Sequence, residues 1–235
     1  MIPVAILAGG LATRLRPLTE TIPKALIELA GEPFISHQLR LLQKLGIRQV
    51  VICVGHLGEM IEQVVGKGEA WGLEVSYSSD ADKLLGTGGA IKKALPMLGE
   101  RFFILYGDSY LDSDFGVVER AHSASGKRGL MTVVRNDDQW DRSNVLYRDG
   151  QIVSYDKAHR TADMHHIDWG LGVLCAQALD AYPDAEAFDL ARVYRELLDI
   201  DQLAGFEVNR RFYEIGSPSG IRETEEYIAK SSQER

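Results

Sequence analysis

The sequence is poor in cysteine and has no long hydrophobic run. Its 235 residues contain two cysteines, Cys53 and Cys175, each within an apolar segment that predicts a buried free thiol. A disulfide-stapled fold is therefore not expected, and the cysteine usage fits a reducing compartment. No segment approaches the roughly 18 consecutive apolar residues of a membrane helix. Residues 1–10 lack the basic region of a signal peptide and predict a strand, so we expect a cytoplasmic protein.

An excess of positive charge is also missing. The net charge is -8, and an acidic surface repels a nucleic-acid backbone, so neither nucleic acid nor membrane is an expected partner. A local cluster of Arg, Lys and backbone N–H groups can still bind a small phosphate. With 45% apolar and 26% charged residues, the composition is that of a globular protein.

The pattern along the first 135 residues alternates strands with helices. Residues 2–8 form an apolar run that ends at Gly9-Gly10, as expected of a strand buried on both faces. An irregular stretch at 9–31 precedes an amphipathic helix at 33–45 and a buried strand at 47–54. The alternation predicts an α/β fold with a doubly wound, mostly parallel, Rossmann-like sheet. Further helices are predicted at 57–65, 88–97, 114–124, 188–198 and 218–230, and further strands at 73–77, 102–106, 129–135 and 170–175.

The pattern changes after residue 136. Residues 145–147 and 152–155, joined by Arg148-Asp149-Gly150, predict a small antiparallel hairpin. A short strand pair is predicted at 205–214. No repeat or linker interrupts the chain, so residues 1–235 are expected to form a single domain.

Residues 7–24 read LAGGLATRLRPLTETIPK and contain neither the GxxxxGK[ST] nor the GxGxxG nucleotide motif. A glycine turn follows directly on a buried strand, and Arg14 and Lys24 follow the turn. Glycines let backbone N–H groups approach phosphate oxygens. Arg14 can bind two of those oxygens, and Lys24 adds a mobile charge. The alternative is a tight turn with solvated basic side chains.

Residues 9–19, GGLATRLRPLT, resemble the G-G-x-G-T-R-L-x-P-L-T signature of the sugar-1-phosphate nucleotidylyltransferase family. Ala12 stands where Gly is common, and Ala25 replaces the second Pro of the following P-K-P segment. The resemblance implies a Mg²⁺-dependent enzyme that joins an NTP to a sugar 1-phosphate and releases pyrophosphate. It is nearest to small bacterial members such as the heptose 1-phosphate guanylyltransferases of surface-polysaccharide pathways, and it implies an NTP-binding half at about 1–110 and a sugar-phosphate-binding half at about 111–235.

Residues 85–90, LGTGGA, resemble the stretch of the family that contacts the nucleobase and ribose. The alternative is a packing contact made by small residues at a helix start. The resemblance implies a nucleotide site built by Leu7, Ala8, Gly9, Gly10, Thr13, Arg14, Gly86, Thr87 and Gly88, with Arg14 and Lys24 as the catalytic residues.

Two acidic residues are the expected Mg²⁺ ligands. Asp108 follows a buried strand in LYGDSY, a position that suits a metal ligand. Glu214 lies in FYEIGSP, which resembles the family motif W/F-x-D-I-G-T-P with Glu in place of Asp. The alternative for Glu214 is a charge near the start of the helix predicted at Pro218.

The sugar-phosphate site is expected to contain Asp156 and Lys157, which stand where the family often has F-x-E-K. Asp168 stands at the Asn of the family's N-x-G, so a carboxylate replaces an amide. Asn144 is assigned to the same site, with a surface hairpin as its alternative. His166 and Asp168 share a face of an extended segment, but two ligands are too few for a structural zinc site.

Other functions remain open from the sequence. A cytidylyltransferase for a non-sugar phosphate such as phosphocholine would fit an acceptor pocket containing Asp156, Asp168 and Trp169. An inactive nucleotide-binding regulator is disfavoured because Arg14, Lys24 and Asp108 are all present. The expected partners are an NTP and a small phosphorylated acceptor. The family often forms homo-oligomers, but the sequence identifies no interface, nucleobase or sugar.

Overall fold

A nine-stranded mixed sheet is the framework of the computed structural model, which describes residues 1–80 and 83–233. Alternate residues of its strands enter two separate apolar cores, one on each face, because side chains of a strand point to opposite faces. The strands are β1 (Val4–Leu7), β2 (Glu28–Leu29), β3 (Glu32–Pro33), β4 (Gln49–Val54), β5 (Glu74–Ser79), β6 (Arg101–Tyr106), β7 (Ser109–Tyr110), β8 (Gly129–Arg135), β9 (Val145–Arg148), β10 (Gln151–Tyr155), β11 (His166–Cys175), β12 (Leu203–Glu207) and β13 (Tyr213–Glu214).

Helices cover both faces of this sheet. They are α1 (Phe34–Lys44), α2 (Gly58–Val65), α3 (Gly86–Leu98), α4 (Phe115–Ser125), α5 (Leu190–Asp199) and α6 (Pro218–Gln233). Apolar residues of α1, α2 and α4 share one core with Val4 and Ile6 of β1. Residues of α3 and α5 share the other core with Ala5. This two-sided burial explains the unbroken apolar runs of the central strands, and it confirms the predicted doubly wound α/β fold.

The central strands run parallel in the order β5-β4-β1-β6. Leu7 of β1 is level with Cys53 of β4 on one side and Tyr106 of β6 on the other, so their carboxyl ends lie at one edge. Beyond β6, β11 runs antiparallel and pairs with β8, which in turn pairs with the parallel strand β12. The mostly parallel centre therefore carries an antiparallel extension.

The hairpin predicted after residue 136 is present as β9 and β10. Its turn residues Asp149 and Gly150 both have positive φ, at 51° and 77°, which is the pattern required by a type I′ turn. The pairing of β9 with β11 attaches the hairpin to the main sheet.

Two predictions for the second half of the chain differ from the structure. β11 begins at His166, four residues before the predicted strand. The polar side chains in the segment before Gly170 gave no apolar run that would have marked it as extended. The strand pair predicted at 205–214 is wrong, because β12 pairs with β8 and β13 pairs with β7 in a separate two-stranded sheet. In both cases the pairing partner is distant in sequence, so local pattern carries little information about it.

Three smaller features complete the description of the fold. Cys53 is buried as predicted, whereas Cys175 is only partly buried, and both are free thiols. His37 is buried with its Nε2 2.8 Å from the Leu29 carbonyl oxygen, a contact typical of a structural histidine. Within residues 1–80 and 83–233, none of the helices combines the length and apolar character that a membrane span requires.

Candidate active site

The sheet edge at the ends of β1 and β6 is built by close backbone approach. The backbone N–H of Ala8 donates to the Cys53 carbonyl at 2.9 Å, and that of Gly107 donates to the Leu7 carbonyl at 3.0 Å. A Cβ atom at Gly107 would lie 2.6 Å from the Leu7 oxygen, and one at Gly55 would lie 2.7 Å from the Gly9 oxygen. Only glycine fits at these two positions, and the loops that leave the strands there diverge around a cleft.

The loop after β1 folds back over this edge in three short 3₁₀ turns. Ala12 adopts a left-handed conformation with φ of 47°, and its carbonyl accepts a 2.9 Å hydrogen bond from the Thr19 hydroxyl. The third turn begins at Lys24, whose Nζ donates to Oδ2 of Asp108 at 2.8 Å. The loop thereby places a basic side chain on the acidic residue that follows β6.

A cavity of about 290 Å³ opens between this loop, the end of β6 and the start of α3; we call it the glycine-lined cavity. Its walls are mostly backbone and small or apolar side chains, with Lys24, Asp80 and Asp108 as the charged residues at its border. The predicted nucleotide-binding residues that line it are Leu7, Ala8, Gly9, Gly10, Gly86 and Thr87.

Three other predicted nucleotide-binding residues lie elsewhere. The N–H of Gly88 already donates to the Phe188 carbonyl at 3.0 Å, and a Cβ there would lie 2.4 Å from the Phe188 ring, so Gly88 makes the packing contact that was its alternative. Thr13 is exposed at the start of the first 3₁₀ turn and lines neither cavity. Arg14 is exposed and faces the neighbouring cavity instead.

That neighbouring cavity, about 440 Å³ in volume, is bordered by charged side chains from separate segments of the chain; we call it the charged cavity. Tyr106 and Asp108, at the end of β6, border both cavities. Three of the predicted sugar-phosphate residues, Asn144, Lys157 and Asp168, line the charged cavity. The two cavities are therefore adjacent and share one wall.

Asp108 and Glu214, the predicted metal ligands, meet at this junction. β13 pairs with β7 so that Glu214 lies opposite Ser109, and the N–H of Ile215 donates to the Asp108 carbonyl at 2.9 Å. Burial raises the pKa of Glu214, and the Asp108 carboxylate raises it further, while Lys24 and Arg14 act in the opposite direction. Two neighbouring carboxylates whose repulsion is only partly compensated suit a bound cation.

These two carboxylates fit Mg²⁺, which commonly takes one or two carboxylates and completes its shell with substrate phosphates and water. In the described part of the chain, no group of three or more His, Cys, Asp or Glu side chains is arranged to hold a metal ion.

Asp168 is the carboxylate at the inner wall of the charged cavity. Its Oδ1 accepts from the Gly170 N–H at 3.0 Å, and its Oδ2 accepts from the Tyr106 hydroxyl at 3.4 Å. Burial raises the pKa of Asp168, whereas nearby Lys157 and these two donors lower it. The side-chain oxygen of Asn144 accepts from the Asp168 N–H at 3.4 Å and so fixes the strand beside it.

Asp156, also predicted for this site, lines neither cavity. Its Oδ1 accepts from the N–H groups of Ala158 and His159 at 2.7 and 2.9 Å, so the carboxylate stabilises the turn after β10. The turn presents Lys157, and Asp156 therefore supports the site from outside. His166 turns to Glu207, with 3.0 Å between Nε2 and Oε1, rather than to a metal partner.

Several residues of the site were missed by sequence reasoning. Asp80 is buried at the glycine-lined cavity, where its Oδ2 accepts from the Leu85 N–H at 2.8 Å. Arg160 donates to the Ser143 carbonyl at 2.5 Å and pairs with Asp138. Residues at the charged cavity that were not predicted as site residues are Tyr106, Ser109, Asp141, Arg142, Arg160, Ile167, Trp169, Gly170 and Phe212. Tyr106 could have been found from its place beside Gly107-Asp108; Arg160 has no local signal.

A glycine-lined cavity joined to a charged one through a lysine–aspartate pair, at the carboxyl edge of a mostly parallel sheet, defines an α/β protein of the nucleotide-binding class. Comparison with known families narrows this class. The family model described as nucleotidyl transferase matches residues 4–143, more than half of the sequence, and the chain belongs to that family. The resemblance seen in the N-terminal motif is thereby confirmed.

Individual relatives agree with this assignment. Mannose-1-phosphate guanylyltransferase catalytic subunit beta from Xenopus tropicalis is 29% identical over 219 residues, which are 91% of this chain and 61% of that protein. The chain thus spans about 61% of the length of this relative. N-acetylmuramate alpha-1-phosphate uridylyltransferase from Neisseria meningitidis serogroup B is 42% identical over 111 residues, 47% of this chain and 48% of that one.

Among solved structures, HddC from Yersinia pseudotuberculosis complexed with GMP-PN superimposes with a TM-score of 0.79 and 25% sequence identity. The match covers 97% of this chain and 100% of that one. The fold therefore corresponds to that of HddC along nearly the whole chain.

Proposed function

We propose that this chain transfers a nucleoside monophosphate from an NTP to a sugar 1-phosphate, with release of pyrophosphate and formation of an NDP-sugar. The observation that carries the proposal is the shared wall at Asp108, which pairs with Lys24 of the glycine-lined cavity and lies near Glu214 of the charged cavity. The glycine-lined cavity suits the nucleoside, the charged cavity suits the phosphorylated acceptor, and the reacting phosphates would lie between them. The whole chain would act as one domain, with the acceptor half beginning near residue 111.

The reaction needs positioning and charge neutralisation more than acid–base chemistry. The phosphate of the acceptor is already an anion, so it can attack the α-phosphorus of the NTP in line without a general base. Lys24 would neutralise charge on the transferred or incoming phosphate. Arg14 has no ion pair within the described residues and is exposed at the charged cavity, so its guanidinium is available for the departing pyrophosphate.

Asp108 and Glu214 would hold the Mg²⁺ ion. When bound, the ion would neutralise phosphate charge. The residues themselves hold their positions through the β7–β13 pairing, and Lys24 keeps the Asp108 carboxylate oriented toward the junction.

The donor nucleotide and acceptor are narrower proposals. Guanylyl transfer to mannose 1-phosphate is supported by the name of the mannose-1-phosphate guanylyltransferase relative, and a guanine nucleotide also by HddC, whose structure contains GMP-PN. A heptose 1-phosphate acceptor is proposed from the motif resemblance alone. A part in surface-polysaccharide synthesis is proposed from the motif resemblance, and a cytoplasmic location is proposed from the sequence features given above.

A phosphocholine acceptor receives less support. The aromatic and acidic residues at the charged cavity would suit its quaternary ammonium group. However, the same cavity is bordered by four cationic side chains, which would repel that group. They are Arg14, Arg142, Lys157 and Arg160.

The test is a pyrophosphate-release panel in the presence of Mg²⁺. It crosses ATP, GTP, CTP, UTP and dTTP with the 1-phosphates of glucose, mannose, heptose, N-acetylglucosamine and N-acetylmuramate, and with phosphocholine. A strong signal for one sugar 1-phosphate supports the proposal and names the substrates. Pyrophosphate release with phosphocholine alone would show that the acceptor is phosphocholine and not a sugar 1-phosphate. A folded protein that binds no NTP would refute the proposal.

A further inference from the structure

Tyr106 is the one aromatic residue that borders both cavities among the residues the structure describes. It ends β6, level with Leu7 of β1, and its carbonyl accepts from Nε2 of Gln38 at 3.1 Å. Its backbone is thus fixed by the sheet and by α1. The side chain therefore leaves a rigid strand and forms part of the wall between the two cavities.

The side chain of Tyr106 contacts both residues that we place at the acceptor phosphate and sugar. Its hydroxyl donates to Oδ2 of Asp168 at 3.4 Å. The Nζ of Lys157 lies 5.9 Å from the centroid of the Tyr106 ring. Asp168 lies on β11 and Lys157 in the turn after β10, so Tyr106 contacts two segments that are separate in the sequence.

These contacts restrict both charged groups. The Gly170 N–H binds one oxygen of the Asp168 carboxylate and the Tyr106 hydroxyl binds the other, so the plane of the carboxylate is fixed. Lys157 is exposed, and the negative face of an aromatic ring attracts an ammonium group at this distance. Fixing both groups in advance lowers the entropy cost of binding a ligand between them.

We propose that Tyr106 is a positioning residue for the acceptor. Its hydroxyl orients Asp168 and its ring orients Lys157, so that the acceptor phosphate points toward the nucleotide in the adjacent cavity. The inference rests on the proposed function. It assigns the acceptor selectivity of this chain to a tyrosine–aspartate pair that lies outside the glycine-rich motifs.

The test compares Tyr106→Phe with Tyr155→Phe. Tyr155 is a buried tyrosine whose hydroxyl has no hydrogen-bond partner in the described ranges and which borders neither cavity, so its variant controls for loss of a buried hydroxyl. With the best substrate pair of the panel, Tyr106→Phe should raise the KM for the acceptor about tenfold, as expected for a lost hydrogen bond to a charged group. The KM for the NTP should change less than about twofold, within the scatter of such comparisons.

A double-mutant cycle with Asp168→Asn shows whether Tyr106 acts through Asp168. The double variant should be no worse than Asp168→Asn alone, because the hydroxyl then has no carboxylate to orient. Tyr106→Leu, which also removes the ring, should raise the acceptor KM further than Tyr106→Phe does. Thermal unfolding of each variant identifies any that fail to fold. The comparison is then made among the variants that do fold.

The outcomes separate this inference from the proposed function. If the wild-type protein is active and Tyr106→Phe behaves like Tyr155→Phe, the inference is wrong and the proposed function stands. Additive effects in the cycle, or equal losses for acceptor and NTP, would also overturn it. If the wild-type protein releases no pyrophosphate with any acceptor, the proposed function fails and the inference fails with it.

Discussion

The glycine-lined cavity and the charged cavity meet at Asp108 but are built differently. The first is lined mainly by small and apolar residues, above all from the loop after β1 and the start of α3. The second collects charged side chains from the loop after β1, the turn after β6, the segments before β9 and after β10, and strands β11 and β13. A nucleotide shared by many reactions can be bound by backbone, whereas selection among acceptors requires side chains that vary. The following variants test whether the two cavities act separately.

The largest expected effect is at the shared wall. Asp108→Asn removes the charge that pairs with Lys24 and borders both cavities, so kcat should fall by at least about a hundredfold for every substrate pair. Asp201→Asn removes an equivalent charge from the exposed pair with Lys127, far from both cavities, and should leave kcat unchanged. The measurement is pyrophosphate release at saturating substrates, and near-normal turnover of Asp108→Asn would remove Asp108 from the reaction.

Lys157→Met should affect the charged cavity alone. Loss of a charge-assisted contact with phosphate should raise the KM for the acceptor by roughly 10- to 100-fold and leave the KM for the NTP unchanged. Lys44→Met, an exposed lysine at the end of α1, is the matched control. A parallel rise in both KM values would show that the two cavities do not bind their ligands independently.

Glu214→Gln should separate activity from stability. Because burial and Asp108 raise the pKa of Glu214 in the folded state, ionisation of Glu214 opposes folding at neutral pH. The neutral variant should therefore gain about 0.5–1 kcal/mol in free energy of unfolding while losing activity. Glu226→Gln, at an exposed position of α6, should change the free energy of unfolding by less than about 0.5 kcal/mol.

The same argument gives the pH dependence. The folded state binds a proton at Glu214 more readily than the unfolded state does, so the wild-type protein should regain this stability as pH falls through the raised pKa. The difference in free energy of unfolding between Glu214→Gln and the wild type, measured by urea denaturation, should consequently shrink toward acidic pH. An advantage that stayed constant with pH would contradict the assigned origin of the effect.

The smallest effect on activity is expected for a change in the loop of the glycine-lined cavity. Ala12→Gly relieves a left-handed backbone conformation, which favours the folded state by about 1–2 kcal/mol. The greater freedom of glycine in the unfolded chain offsets about 0.4–1 kcal/mol of this gain. The net change should be a gain between zero and about 1.6 kcal/mol, with an NTP KM within about twofold of wild type. Ala229→Gly, inside α6, should instead lose about 1 kcal/mol in chemical denaturation.

The two cavities also differ in how far the sequence predicts them. The central strands are buried on both faces, so their apolar runs identify them, and Gly9, Gly10 and Asp108 follow those runs directly. Lys24 was assigned to the site because it ends the same segment, residues 7–24. These predictions succeed because the relevant geometry is local or is imposed by the common edge of parallel strands.

The charged cavity was predicted only where a motif marked it. Asn144, Lys157 and Asp168 do line it. Arg160 is held there by the Ser143 carbonyl and Asp138, and Phe212 directly precedes β13, which pairs with the distant strand β7. Asp156 was assigned by position in a motif, whereas its carboxylate is used by the backbone of its own turn. Which of two adjacent side chains faces a cavity is decided by strand register and turn geometry, and neither is visible in composition or spacing.

The contact between Gly88 and Phe188 links the start of α3, beside the glycine-lined cavity, to the second half of the chain. The Phe188 carbonyl accepts from the Gly88 N–H, its ring fills the space beside Gly88, and the Thr87 hydroxyl accepts from the N–H of Leu190. Substitutions at positions 88 and 188 are therefore expected to depend on each other. In descendants of this gene, a side chain larger than glycine at position 88 should appear only together with a smaller one at position 188, and recombination that separates the two halves should inherit a mismatched pair.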